Sequence, residues 1–290
     1  MPETYTAPAM SPTSLAPKRV FRATRSYFTD LWNRREFAWY LAMGNLKARN
    51  ASTVLGLLWW VINPVLLGMV YWFVFGILFD RDPDEFGGLP FLVYLLSGMF
   101  PFYFTQTCMT GGVNSIVNNT ALLANLQFPR VILPLAALAE AFVGFLTSLL
   151  GYYLIVGPSY GVWPAAHTLI LIPTVVIHLM FNLGLSMLVA RLAVPFRDLN
   201  NLVPYITRMW LYLSPILYGP STLKKAPEWA QRIAELNPLM PILRLYRYAL
   251  AGIPTDTSEA LVASLVFSVV FLGVGAAWFI KYEGKIARYV

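Results

Sequence analysis

Charge is what this sequence has least of. Only 12% of its 290 residues are Asp, Glu, Lys or Arg, while 58% are apolar. A soluble domain carries about 25% charged residues, so too little polar material is present to cover a water-facing surface. With a mean hydropathy of +0.59, the composition excludes an ordinary soluble enzyme, a disordered chain and a fibrous protein, and predicts an all-α integral membrane protein. Cysteine is nearly absent too. Cys108 is the single one and lies in apolar surroundings, so neither a disulfide framework nor a cysteine metal cluster is expected.

Catalytic signatures are also missing. There is no G-x-x-x-x-G-K-[S/T] phosphate loop, no H-E-x-x-H and no G-x-S-x-G, and His167 and His178 stand alone, as packing histidines do. The run Asp80-Arg81-Asp82-Pro83-Asp84-Glu85 resembles the start of a calcium loop. Its sixth and twelfth positions are Glu85 and Phe91, where that loop needs Gly and Glu, so a solvated turn is expected. No metal and no cofactor are expected in this chain.

Basic residues exceed acidic ones, 21 against 14, for a net charge of +7. Nucleic acid is not the reason, because the bases form no polar domain. Lys18, Arg19, Arg22, Arg25, Arg34, Arg35, Lys47 and Arg49 all precede the first long apolar run, as an inner-leaflet anchor would place them. Residues 1–26 read as a disordered cytosolic tail without a signal peptide. Apolar runs follow at Leu55–Phe79, Leu89–Met109, Val131–Val156, Ala165–Val189, Leu202–Tyr218 and Leu261–Ile280. Since about 20 residues cross the hydrocarbon core, six spans within residues 55–280 are expected, the fifth shortened by Pro204 and Pro215. Arg130, Arg191, Arg197, Lys281, Lys285 and Arg288 fall on one side, and the acidic 80–88 link and uncharged 157–164 link on the other. That places both termini in the cytosol, with residues 281–290 as a short tail, of a plasma-membrane protein. The basic 219–257 segment is discordant, but long loops weigh little in that rule.

Three segments are neither spans nor plain loops. Within 27–54, Phe28, Leu31, Trp32, Trp39, Ala42, Met43 and Leu46 recur at helical spacing beside Arg34, Arg35, Lys47 and Arg49, which predicts an amphipathic interface helix, either an anchor or a docking surface. In 111–130, Val113, Ile116, Val117 and Thr120 fall on one side of a predicted short helix, and Asn114, Ser115, Asn118 and Asn119 mostly on the other. In 219–257, prolines interrupt an apolar segment in the manner of re-entrant helices, which survive at membrane depth only when buried in protein or lining a watery cavity.

Two ionisable residues lie inside spans, Glu140 in the third and Arg208 in the fifth. At 1.5 Å per residue they sit at similar depths, about 14 and 10 Å from the inner surface, which permits a buried pair or a shared place on a path. Aromatics reach 15%, and their flat faces with polar tips suit sliding contact with sugar rings.

The order of motifs is distinctive. A basic interfacial helix leads to Leu55-Gly56-Leu57-Leu58-Trp59-Trp60-Val61-Ile62-Asn63-Pro64. Leu95-Leu96-Ser97-Gly98-Met99-Phe100-Pro101 follows, then Asn118-Asn119 to Phe128-Pro129-Arg130, Phe196-Arg197-Asp198-Leu199, Ser214-Pro215-Ile216-Leu217-Tyr218 and Asn237-Pro238-Leu239. From residue 27 onward this resembles the membrane subunit of ABC-2-type polysaccharide exporters, the Wzm type that moves O-antigen, teichoic acid or galactan, with a flavour nearest the actinobacterial galactan exporters. The resemblance implies a homodimer and two copies of a separate P-loop ATPase that holds ATP and Mg. It implies a polyprenyl-pyrophosphate-linked glycan as cargo. ATPase docking would fall to Asn114, Asn118, Asn119, Leu123, Arg34 and Arg35. The channel would be lined by candidates among Trp60, Tyr71, Trp72, Tyr205, Arg208, Trp210 and Tyr212. An ABC-2 permease for a drug or lipid, an integral-membrane glycan enzyme and a stand-alone carrier are the competing readings; the enzyme would want clustered acids or histidines, and the carrier an internal repeat.

Overall fold

The computed structural model describes residues 29–50, 53–79, 83–86, 88–126 and 128–289. The expected tail over 1–26, Phe28 and the acidic positions Asp80 and Asp82 lie outside them. All regular structure among the described residues is helical. Helix α1 is Arg35–Asn50, α2 Trp59–Tyr71, α3 Phe91–Val117, α4 Thr120–Asn125, α5 Ile132–Tyr160, α6 Leu171–Ala193 and α7 Leu199–Leu213. Then come α8 Pro220–Lys225, α9 Glu228–Glu235, α10 Leu239–Ala251 and α11 Thr257–Tyr289.

Four helical stretches are long and apolar enough to cross a membrane: Gly56–Leu78, Ile132–Tyr160, Ala166–Ala193 and Thr257–Glu283. Helix α2 belongs to the first, extended backward by a 3-10 turn over Gly56–Leu58 and forward by a π-helical segment over Trp72–Leu78. The other two expected spans are built differently. At 15 residues α7 is short. Helix α3 has 27 residues but interrupts its apolar run with Ser97, Thr105, Gln106, Thr107 and Thr110, which it can do because it is the central helix. It is buried along most of its length and packs against α2, α5, α6, α7 and α10.

Small residues set how closely the helices approach. Helix α2 lies in a groove of α5 formed by Gly144, Ser148 and Gly151. A Cβ on Gly144 would overlap the Trp60 ring, one on Gly151 would come within 2.6 Å of Val61, and the Ser148 hydroxyl donates to the Trp60 carbonyl at 3.0 Å. The α6–α11 crossing is equally tight, since a Cβ on Gly184 would meet the backbone of Phe271 and Leu272. Close backbone approach through small residues is the way helices associate in lipid, where hydrophobicity gives no drive.

Helix α1 divides the expected apolar set between the protein and the outside. Its buried positions are Ala38, Ala42 and Leu46, one per turn, and they dock on α5. Trp32 and Trp39 are exposed rather than part of that buried face. The 219–257 segment forms three short helices, and the last, α10, is buried over most of its length between α3, α6 and α11. Its apolar sequence is explained by that burial.

Candidate functional site

Helix α7 buries only Val203, Thr207 and Leu211. Their four-residue spacing puts them on one face, toward α3. The remainder is open: Tyr205 and Met209 are each 66% exposed and Tyr212 50%, with Arg208 exposed beside them. This open face continues onto α2 through one contact, the Tyr71 and Tyr212 hydroxyls 3.2 Å apart with their rings edge to face. From Tyr71 the aromatic strip runs to Phe75 and Phe79, whose rings stack at 5.9 Å. Of the seven channel candidates, Tyr71, Tyr205, Arg208 and Tyr212 therefore share one strip. Trp60 and Trp210 do not. Trp60 lies over Gly144, and the Trp210 indole donates to Asn237 Oδ1 at 2.9 Å with its ring edge-on to Phe102. Trp72, like Tyr71 and Phe75, packs against the edge of the main core. An all-round apolar segment does not announce which aromatic faces the core.

The expected Glu140–Arg208 pair is not formed among the described residues. Arg208 sits on the open face of α7, whereas Glu140 lines a polar groove of about 560 Å³ between α1, α3 and α5. Similar depth did not fix the two azimuths.

At the Val117 end of α3, the expected separate helix over 111–130 is instead the last turns of α3, a break at Asn118–Asn119 and the short α4. Of the expected apolar side, Val113 and Ile116 are buried while Val117 and Thr120 are exposed, and Ser115, which belonged to the expected amide side, is buried. Asn118 is exposed and Asn119 partly so, while Asn114 is half-buried in the groove. Leu123 packs with Leu122 against a second core around Phe128, Ile132 and Phe279. Arg34 and Arg35 are exposed, and Arg35 stacks 5.0 Å over Trp32 while donating to its carbonyl at 3.0 Å. Phe128 tucks under Phe37 at 5.4 Å. Arg130 is bonded through backbone and guanidinium to Glu283. The α1, α4 and α11 ends are thereby tied into one surface.

The opposite end carries two residues, Arg247 and Tyr94, that the sequence reading did not single out. Arg247 is 5% exposed. Its guanidinium lies 3.7 Å over the Tyr94 ring and donates to the Pro215 carbonyl. Tyr94 in turn donates to the carbonyls of Pro215 at 3.2 Å and Tyr218 at 3.0 Å. Asn237 accepts from Trp210 and donates to Ser214 Oγ at 2.9 Å. Together they fasten the Ser214–Tyr218 turn to α3 and α10. The available signal was an arginine inside the apolar Leu243–Leu250 run, where charge is admitted only with dedicated partners. His178 is a packing histidine, as expected: buried, with Nε2 2.7 Å from the Thr105 hydroxyl and Nδ1 3.1 Å from the Tyr246 hydroxyl. Among the described residues no group of three or more His, Cys, Asp or Glu could hold a metal ion.

Comparison with known proteins agrees with this architecture. The ABC-2 type transporter family matches residues 36–251. An O-antigen export system permease protein, RfbA, of Myxococcus xanthus is 30% identical over 261 residues, covering 90% of this chain and 98% of that protein. An O-antigen export system permease protein of the same name from Klebsiella pneumoniae is 29% identical over 206 residues, covering 70% of this chain and 75% of that protein. With its apolar helices and the match across most of its length, the chain is a multi-pass membrane protein of the ABC-2 type transporter family.

Proposed function

We propose that this chain is the permease subunit of an ATP-driven exporter that moves a lipid-linked polysaccharide, O-antigen- or galactan-like, out of the cytosol across the bacterial plasma membrane. Two copies form the path, and two copies of a separate P-loop ATPase, which hold ATP and Mg, drive it by switching the coupled dimer between closed and open states. Six spans, with α3 and α7 counted among them, leave both termini in the cytosol. The likeness to O-antigen export permeases along nearly the whole chain carries this reading. The open aromatic strip from Phe79 through Tyr71 to Tyr205 supports it, because aromatic faces accept sugar rings of many kinds without demanding fixed hydrogen bonds.

In this reading the surface built from Asn118, Asn119, Leu123, Arg34 and Arg35 docks the ATPase. Neutral amides at such a contact avoid the desolvation penalty of unpaired charge. Asn114, further up α3, contributes little to that contact.

Co-purification tests the proposal. The tagged chain is expressed with and without the P-loop ATPases of its genome, and the detergent complex is weighed. A two-plus-two complex whose ATPase activity falls when Asn118 and Asn119 are both replaced by Glu is the expected result. A chain that purifies alone whichever ATPase is offered would contradict it.

A further inference from the structure

The groove that Glu140 lines is rich in amides and hydroxyls. One wall is a ladder on α3, with Gln106, Thr110 and Asn114 at four-residue intervals. Each interval advances about 6 Å along the helix, comparable with one sugar ring. The rungs are held in place from below: the Thr110 hydroxyl donates to the Gln106 carbonyl at 3.0 Å and the Asn114 amide to the Thr110 carbonyl at 3.1 Å. One donor of each is thus spent on the helix. The hydroxyl lone pairs of Thr110 and the carboxamide oxygen and second N–H of Asn114 remain for the groove. Tyr103 closes its far end and also borders the next cavity, of about 370 Å³, which Trp59, Trp60 and Asn63 line.

Such a row of amides and hydroxyls is costly against lipid tails and suits a polyhydroxylated ligand. It does not suit an anion. No Lys or Arg among the described residues lines the groove, and it runs to the C-terminal turn of α3, where the helix dipole is negative.

We infer that this groove is a subsite for neutral sugar residues of the transported glycan, separate from wherever its pyrophosphate is held. The inference rests on the proposed export function and adds a location to it.

Photo-crosslinking in glycan-producing cells tests it. p-Benzoylphenylalanine is placed at Gln106 in the groove, or at Leu150, which is 63% exposed on α5, as a control. Adducts are read by periodate oxidation and a hydrazide-biotin probe, which report sugar. The groove position is expected to give at least about tenfold more sugar adduct than the control, the contrast that about 1.4 kcal/mol of preferential occupancy would produce. Equal labelling at both positions while export continues would overturn the inference and leave the export function standing, as would adducts carrying lipid without sugar. Surface glycan unchanged when the gene is deleted would overturn both. As a second readout, Thr110→Trp fills the groove and is expected to lower export by about tenfold with the ATPase still co-purifying, while the isosteric Thr110→Val retains more of it. Normal export by a membrane-inserted Thr110→Trp chain would overturn the subsite.

Discussion

The Arg247 guanidinium lies 3.7 Å above the Tyr94 ring, and both side chains donate to the carbonyl of Pro215. One buried cation and one phenol thus hold the turn that ends α7. Removing the Tyr94 hydroxyl by Tyr94→Phe takes the donor from the Tyr218 carbonyl and leaves the Pro215 carbonyl with Arg247 alone, and is expected to destabilise the chain by about 1–3 kcal/mol. Arg247→Lys should not restore wild-type stability, because an ammonium lacks the planar face that stacks on the ring. Thermal unfolding of both variants in detergent checks this; wild-type stability of Arg247→Lys would contradict it.

The glycines of α6 and α11 make a matched pair of predictions. Gly184→Val drives a side chain into the backbone of the facing helix and is expected to cost at least about 2 kcal/mol. Gly273→Ala, on the same crossing helix but with nothing within 4 Å of a new Cβ, is expected to be neutral or stabilising by up to about 1 kcal/mol. The same unfolding assay separates them.

On the open strip, Tyr71→Ala and Tyr212→Ala remove aromatic faces, Tyr212 from outside the core and Tyr71 from its edge. Export is expected to slow by about three- to tenfold with assembly of the complex unchanged. Tyr71→Phe and Tyr212→Phe keep the faces, lose the hydroxyl contact and should export more nearly like wild type. Measuring glycan at the cell surface per assembled complex distinguishes contact with cargo from loss of folding.

Asp256 caps α11. The backbone N–H of Glu259 donates to its Oδ1 at 3.0 Å and the Ser258 hydroxyl at 2.7 Å, and these bonds hold its carboxyl below the ordinary value of 3.8. A depressed carboxylate stabilises the folded chain above its unfolded pKa, and that contribution is lost as pH falls through the folded value. Hydrogen exchange at the start of α11 should therefore rise in acid for the native chain and change less with pH in Asp256→Asn.

How much of this could be read from sequence depends on which physics was at stake. The bilayer demands long apolar runs and forbids unsatisfied backbone, so the helical class and the positions of α5, α6 and α11 were legible. Facing was not. Trp60 and Trp210 resemble Tyr71, Tyr205 and Tyr212 in any hydropathy window, because a segment apolar on every side carries little directional signal. Glu140 and Arg208 matched in depth, but depth along a helix says nothing about rotation around it. Neither the break at Asn118–Asn119 nor the continuation of α3 through Val117 was placed, because the adjacent glycines at 111 and 112 read as a helix start yet stay helical in a packed interior. Arg247 counted as one basic residue of an external loop, since its partners Tyr94 and Pro215 come from distant parts of the chain.

The central claim is vectorial movement of a lipid-linked glycan, and reconstitution measures it most directly. The chain and its ATPase are placed in proteoliposomes loaded with the host's own lipid-linked polysaccharide, and an impermeant glycosidase reports glycan on the far face. The account predicts that far-face glycan increases only when ATP, the ATPase and this chain are all present. Far-face glycan that accumulates equally without ATP or without this chain, or a complex that hydrolyses ATP while the glycan stays put, would contradict it.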